Sequence, residues 1–515
     1  MNRKFRAANY EETLNQTIRL ADALPADHLA RYVVDIIAQL SLSRIYAKYA
    51  ARGGEAIAPE ILLGLLFYGY ASGVFSSRKI EKAPYESIAF RFIAGGLHPD
   101  HDPIAHFRKI FLGEMQGLFV QILLLAQAAG VLKLGNISLD GSKLHADASK
   151  SHAVSYKRLI ELECQLRGEV QELFTLAEQA DQGEAQLPEG LVILDELAIR
   201  AERLENLARA KAVLEVRAQA RYAAEQAEYE AKVKERTKKA RKRQHKPKGR
   251  PPTLPEPGPR DKDQYNFTDP ESRIMKNSTN QGVDQHYNVQ VAVDQESLLI
   301  LAPALSNHPN DKQEAEPTLE AISPKLGKPK AAALDNGYFR AAYIETFEDH
   351  QVEVYIATGR EPHHKDWRTF FQEQPEPPAE NASPKVKMAY KLQTQIGQAI
   401  YRLRKCTVEP VIGIIKEVLG FRQFSLRLPA QAGGLKAAAG EWCLVCLAFR
   451  LRRQAYAHLD ARVIGHVSTR LLYPRWAGWE PCRTPLSAPF AEIRGPCCAW
   501  IPHSVVKVPT SPTNC

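Results

Sequence analysis

Three carboxylates stand in settings where metal-assisted chemistry is feasible. Asp140 follows the apolar run Ile137-Ser138-Leu139, Asp335 ends the small-residue run KAAALD, and Glu409 lies in YRLRKCTVEPVIGIIK. Carboxylates converging from separate strands and a helix can hold two divalent metals. Such metals activate an attacking oxygen and stabilise the leaving oxygen of an in-line phosphoryl displacement. Taken singly, each residue has a plainer reading. Asp140-Gly141 and Asp335-Asn336-Gly337 are turn sequences, and Glu409 suits a surface Glu–Lys helix with a proline kink. Lys416 follows Glu409 by two helical turns, a rise of ~10 Å on the same face, and Lys405 precedes it by one turn. Pro410 is favoured at a helix's first position, so Glu409 is expected at a helix start or kink. There the positive end of the dipole keeps a carboxylate ionised. Asp147 competes with Asp140 but lacks its adjoining apolar strand. Asp311, in SNHPNDKQEAE, follows a strand and is placed to line the site; Glu417 points about 100° away from Lys416. His145 and His308 read as polar loop contacts. The chain contains no G-x-x-x-x-G-K-[ST] loop, H-E-x-x-H pair or G-x-S-x-G elbow.

Positioning these residues requires a mixed α/β domain. ISLDGSKLHA alternates apolar and polar residues, as a strand does, with Asp140-Gly141 interrupting it. HYNVQVAVD and SLLILAPAL read as a hairpin turning at Asp294–Glu296. KAAALDNGYF and QVEVYIATG are further strands, and a helix-rich stretch runs from Lys387 to about Gln454. Residues 1–130 read as helical: Pro59 opens a run apolar nearly all round, EILLGLLFYGYASG. The SSRKIEKAPYESIAFRF segment after it interleaves Arg78, Lys79 and Lys82 with aromatics. Between the first strand and the hairpin, Ser151 to Arg243 is rich in Glu, Ala, Leu and Arg, broken near Pro188 and Gly190. That predicts two long helices paired as a hairpin or coiled coil. KPKGRPPTLPEPGPR, with six prolines, reads as a linker.

The 515 residues carry a formal charge of +9, from 68 basic and 59 acidic side chains. Lys232–Arg250 alone holds eleven Lys/Arg and one Glu, or +10, which leaves the rest of the chain near −1. Such a tract is often just a solvated helix face. A charge this concentrated points to a polyanion, and nucleic acid is the natural one. The cysteines form no disulfide framework, and Cys443 and Cys446, in WCLVCLAF, suit a buried helix face better than a zinc site. Neither of the two most apolar stretches reaches the ~20 residues of a bilayer span. The N-terminus does not resemble a signal peptide, so a cytoplasmic protein without a membrane partner is expected. Residues 455–515 hold three of five Trp, four of eight Cys and eight of 33 Pro with little periodicity. They read as a poorly ordered tail outside the folded core.

Six segments, in order, resemble the insertion-sequence DDE transposases, most closely the eleven-eighty-two group. SSRKIEKAPYESIAFRFIAGGLHPDHDPIAHFRK is similar to the N-terminal transposase module, and SLDGSKLHADASK to the segment bearing the first Asp. DPESRIMK with HYNVQVAVD resembles the block entering the second strand, and ALDNGYF the segment bearing the second Asp. RKCTVEPVIGIIK resembles the segment bearing the Glu, and EWCLVCLAFRLRR the closing helix. The resemblance spans roughly residues 10–453. It implies an RNase H-like mixed sheet with flanking helices, interrupted after its first strand by a helical insertion and preceded by an all-α module. The implied limits are 1–130 for the DNA-binding module and 131–150 with 263–454 for the catalytic domain. The insertion with its basic tract and Pro-rich linker then covers 151–262, and the tail 455–515. It further implies a metal-dependent enzyme that cleaves DNA and transfers strands, with Asp140, Asp335 and Glu409 as catalytic triad and metal ligands. Mg²⁺ is the expected ion and Mn²⁺ the alternative. The partners would be duplex DNA at element ends and target, and a second copy in a homodimer or larger assembly at the nucleoid. Lys416, Lys405 and Arg404 would contact phosphates near the cut, and Arg78, Lys79, Lys238, Lys239, Arg241, Lys242 and Arg243 would bind DNA elsewhere. The related pattern Y-x2-R-x3-E-x6-K is met at Glu409 and Lys416, but Lys405 stands in place of Arg and Tyr401 is one residue early. A non-catalytic, transposase-derived DNA-binding protein and a metal-dependent nuclease share much of this sequence pattern.

Overall fold

Strand β1 (Asn136–His145) forms the axis of the architecture. Side chains alternate across a strand, and this alternation divides the residues cleanly. Ile137 and Leu139 are fully buried in the main core. Ser138, facing the other way, accepts hydrogen bonds from Thr407 Oγ1 at 2.8 Å and Gln295 Nε2 at 3.0 Å. Asp140 and Ser142 continue that second face. The strand runs straight through Asp140-Gly141, as its sequence predicts. Gly141 is required for a steric reason: a Cβ there would come 2.2 Å from Gln290 Nε2 and 2.9 Å from Asp311 Oδ1.

In the computed structural model, the described residues are Thr17, 19–49, 55–183, 191–243, 250–277, 282–359, 376–379, 381–425 and 434–463. Besides β1 they include β2 (Ala153–Ser155), β3 (Gln264–Asn266), β4 (Arg273–Lys276), β5 (Val283–Asp294), β6 (Ile300–Ser306), β7 (Ala331–Leu334) and β8 (Glu353–Ile356). β5 lies antiparallel to β1, and its far edge takes β4 and β6, both antiparallel. On the other side of β1, β7 and then β8 run parallel to it. The turn from β5 to β6 is held by Asp294, whose Oδ2 accepts from Ser297 N at 2.8 Å and Ser297 Oγ at 2.7 Å. β2 and β3 form a separate ribbon.

Helix α1 (Pro59–Ala71) starts on proline and is buried on nearly every side. It packs with the helical segments 29–37, 77–93 and 101–128. By length and composition His101–Ala128 would suffice to cross a membrane. Here its apolar residues Met115, Leu118, Phe119, Ile122 and Leu123 are consumed by the core. Their side chains and those of the sheet belong to one hydrophobic cluster. The long helix α5 (Gly434–Val463) makes the join. Arg450, fully buried, donates from Nη1 to Phe119 O at 2.6 Å and from Nη2 to Ile300 O, and lies over the Phe119 ring. Cys443 and Cys446 are buried on the same helix, and burial pushes the Cys443 thiol up to about 12. α5 continues nine residues past Gln454; the remainder of the expected tail, 464–515, lies outside the described residues.

Helices α2 (Tyr156–Asp181) and α3 (Ile193–Arg243) form an antiparallel arm. Leu159 and Leu166 pack with Leu207, Ala210 and Leu214. Glu163–Lys211 at 3.0 Å and Glu169–Arg200 at 2.9 Å flank this seam. With 51 residues α3 outruns its partner. Part of the proline-rich stretch, expected to be a free linker, lies against the overhang. Arg221 bonds Asp263 Oδ2 at 2.6 Å and Gly258 O at 2.7 Å, and Pro255 is buried.

Candidate active site

The parallel register of β1 and β7 pairs Leu139 with Leu334. The next residues, Asp140 and Asp335, are therefore neighbours on one face of the sheet, at the carboxyl end of β7. Asp335 caps the turn that follows, its carboxylate accepting from Gly337 N. Asp140 Oδ1 accepts from Gly141 N at 2.8 Å and its Oδ2 from Arg404 Nη1 at 3.2 Å. Burial pushes the Asp140 carboxyl up to about 6, a shift that Arg404 and the Gly141 amide oppose and the charges of Asp335 and Asp311 reinforce. A carboxyl so raised, among like charges in a half-buried site, marks a functional candidate.

Helix α4 (Gln395–Gly413) carries Glu409. The expectation of a helix start at Pro410 fails. α4 begins at Gln395, capped by Thr394, and passes through Pro410 into a π-helical turn at Ile414–Val418. Glu409 is therefore well inside the helix, away from its positive end, and its side chain is 55% exposed. The wider turn also alters the helical spacing between Glu409 and Lys416. Lys416 donates to Ser142 Oγ and, at 3.1 Å, to Lys143 O, which ties the turn to β1 just beyond Asp140. Burial and the nearby Arg422 lower its proton affinity, against the pull of Glu417.

Arg404, expected to contact phosphates near the cut, is buried beside the carboxylates. Its side chain lies 3.2 Å from Asp140 Oδ2 and 3.9 Å from Glu409 Oε1, and packs on the Tyr401 ring. The Tyr-x2-Arg spacing of the family pattern thus survives as Tyr401 and Arg404, one residue further from Glu409 than expected. Lys405 is exposed on the same helix. Asp147 lies past the end of β1, and Glu417 pairs with Arg422. His145 lies against the His286 ring, and His308 Nδ1 is 2.6 Å from Glu314 Oε1. Arg78 and Lys79 are exposed on the 77–86 helix, and Lys238 and Arg241 on α3. Lys239, Lys242 and Arg243 lie on α3 too, with side chains outside the described set, as are residues 244–249 of the basic tract.

Asp311 is more deeply involved than its loop sequence suggests. Its Oδ1 accepts from Asn288 Nδ2 at 2.8 Å and Gln290 Nε2 at 2.7 Å, both on β5. A Cβ on Gly337 would sit 3.2 Å from Asp335 Oδ1 and 3.6 Å from Asp311 Oδ2. The two carboxylates thus meet at one glycine cradle. Among the described residues no three His, Cys, Asp or Glu side chains are already gathered at metal-coordinating spacing. The donor chemistry nevertheless fits a hard divalent cation. Asp140, Asp335 and Asp311 supply carboxylate oxygens only, and their mutual repulsion is what such an ion would relieve.

A family model described as a transposase domain (DUF772) matches residues 18–110, and one described as a transposase DDE domain matches residues 270–435. The second match includes Asp311, Asp335, Glu409 and Lys416; β1 with Asp140 lies before it. No curated protein and no solved structure matches the chain. The two matches stand in the order of a helical entry region followed by the carboxylate-bearing sheet. The chain belongs to the DDE transposases of insertion sequences.

Proposed function

We infer that the protein cuts DNA at insertion-sequence ends and joins the freed strand to target DNA, with Asp140, Asp335 and Glu409 as the catalytic carboxylates. The observation that carries this reading is the parallel register of β1 and β7, which sets Asp140 beside Asp335 just past the end of β7, with the Asp140 carboxyl pushed up to about 6. The strand order, with antiparallel β5 and β6 on one side of β1 and parallel β7 and β8 on the other, fits an RNase H-like sheet. The order of the matched segments fits the eleven-eighty-two group.

In this reading, water attacks the phosphodiester at the element end, and the bond from phosphorus to the 3′ oxygen breaks. The freed 3′-OH then attacks a target phosphodiester: one phosphorus–oxygen bond forms, one breaks, and the target's own 3′ oxygen leaves. Mg²⁺ held by the carboxylates, with Mn²⁺ as a substitute, would supply Lewis-acid stabilisation of the attacking and leaving oxygens. Arg404 orients Asp140 towards Glu409 and limits their repulsion. Lys416, fixed by Ser142 and the Lys143 carbonyl, sets positive charge beside β1. Lys405 is a phosphate contact on the exposed side of α4. Arg78 and Lys79 bind DNA within the N-terminal region, and the α3 tract clamps the DNA backbone without reading its bases. Two copies would hold the two ends.

The test uses duplex DNA carrying the element's own ends. Wild type with Mg²⁺ is expected to nick it and transfer strands. Asp335→Ala is expected to bind the DNA but not cut it. Undiminished cleavage by Asp335→Ala would remove this residue from the site, and binding without cleavage by a folded wild type would favour a non-catalytic DNA-binding protein.

A further inference from the structure

We propose that Asp311 is a fourth carboxylate of the active site, contributing Oδ2 and its charge to divalent-cation binding. This rests on the metal-dependent reading above and extends it to a residue outside the triad. Asp311 precedes helix 315–320, on the loop after β6, and reaches the site from beyond the end of β7. Three features of its setting point the same way.

The first is how it is held. Asn288 and Gln290 lie on one face of β5, are 1% and 0% exposed, and both donate to Oδ1. Gln290 is itself fixed, because its Oε1 accepts from the buried Tyr338 hydroxyl. Two buried amides spent on one oxygen lock its orientation. Among the described residues, both side-chain hydrogen bonds of Asp311 fall on Oδ1, so the bound oxygen anchors the group while Oδ2 is turned to the cradle.

The second is what Oδ2 faces. It and Asp335 Oδ1 both approach Gly337, close enough that a Cβ there would touch both. Gly141 opens the same approach from β1, where any side chain would strike Asp311 Oδ1 and Gln290. Glycines at both positions let the carboxylates draw near.

The third is the absence of a basic partner. Arg404 pairs with Asp140 and reaches towards Glu409, yet no salt bridge involves Asp311 among the described residues. A residue serving the fold alone would not need preorganised negative charge beside two other aspartates. A cation-binding residue would.

The experiment titrates Mn²⁺ into the full-length protein by calorimetry and measures melting in EDTA for wild type, Asp311→Asn, Asp335→Asn and Asn288→Ala. Asp311→Asn preserves shape and is expected to weaken Mn²⁺ binding by about 10–100-fold, with its melting temperature in EDTA unchanged or raised because repulsion is relieved. Asn288→Ala is expected to weaken Mn²⁺ binding by a smaller factor. Wild-type Mn²⁺ affinity in Asp311→Asn, alongside lost affinity in Asp335→Asn, would overturn the assignment of Asp311 alone. Should Asp311→Asn fail to fold, unchanged affinity in Asn288→Ala would overturn it. No Mn²⁺ binding by wild type, or full binding by Asp335→Asn, would instead sink the underlying metal-site reading.

Discussion

Arg404 and Arg450 are both buried arginines on long helices, and each leaves its Nε without a hydrogen-bond partner among the described residues. Their surroundings differ. Arg450 meets two backbone carbonyls and the Phe119 ring, and burial lowers its proton affinity to about 9, which still leaves it charged at neutral pH. Arg404 meets Asp140, with Glu409 beyond it. Burying a guanidinium therefore does not by itself mark a functional site; its acceptors do. Carbonyls from two separate elements make Arg450 a rivet between the helical region and β6. Carboxylates that repel one another make Arg404 part of the electrostatics of the candidate site.

Arg450→Ala offers the largest effect on that contrast. It leaves the Phe119 and Ile300 carbonyls unpaired and opens a cavity, so it should cost about 3–5 kcal/mol of stability in urea denaturation. A loss below about 1 kcal/mol would mean the helical region and the sheet do not depend on this rivet.

The next effect is a pH dependence at the other arginine's partner. The Asp140 carboxyl titrates near 6 in the fold against an ordinary value of 3.8. The folded state therefore holds this proton more tightly than the unfolded chain. Its contribution to stability is full below pH ~4 and is lost as pH rises through about 6, amounting to about 2–3 kcal/mol. Melting curves in EDTA across pH 4–8 should show this decline in wild type beyond that in Asp140→Asn, and Mg²⁺ should reduce it. Identical pH profiles for the two proteins would contradict the raised carboxyl.

The smallest effect on the fold is expected in the arm. Replacing Lys238, Lys239, Arg241, Lys242 and Arg243 by Gln should leave stability within about 0.5 kcal/mol. The dependence of log K for DNA on log salt should become shallower by as much as ~0.9 for each lost phosphate contact. An unchanged salt slope would remove the tract from the DNA interface.

Much of this arrangement is legible in the sequence because it is local. The alternation around Ile137 and Leu139, the β5–β6 turn near Asp294 and the break between α2 and α3 all follow from short-range patterns. What was not legible depends on contacts distant in the chain. Pro410 reads as a helix start or a kink, yet α4 runs through it from Gln395 into a π-helical turn, with Thr407 and Val408 buried beside it. Arg404 and Lys405 are adjacent cations, and only the docking of α4 on β1 decides which is buried. Asp311 is held beside Asp335 through the register of β5, which brings Asn288 and Gln290 to it. The join between the helical region and the sheet rests on Arg450, whose neighbours Phe119 and Ile300 are far away in the chain.

The most direct test of the account is one substitution read in two ways. Asp140→Asn, assayed for Mg²⁺-dependent cleavage of element-end DNA and for melting in EDTA at pH 8, should abolish cleavage while melting at or above the wild-type temperature. Retained cleavage, or a clear fall in melting temperature, would contradict the assignment of Asp140 to chemistry rather than to the fold.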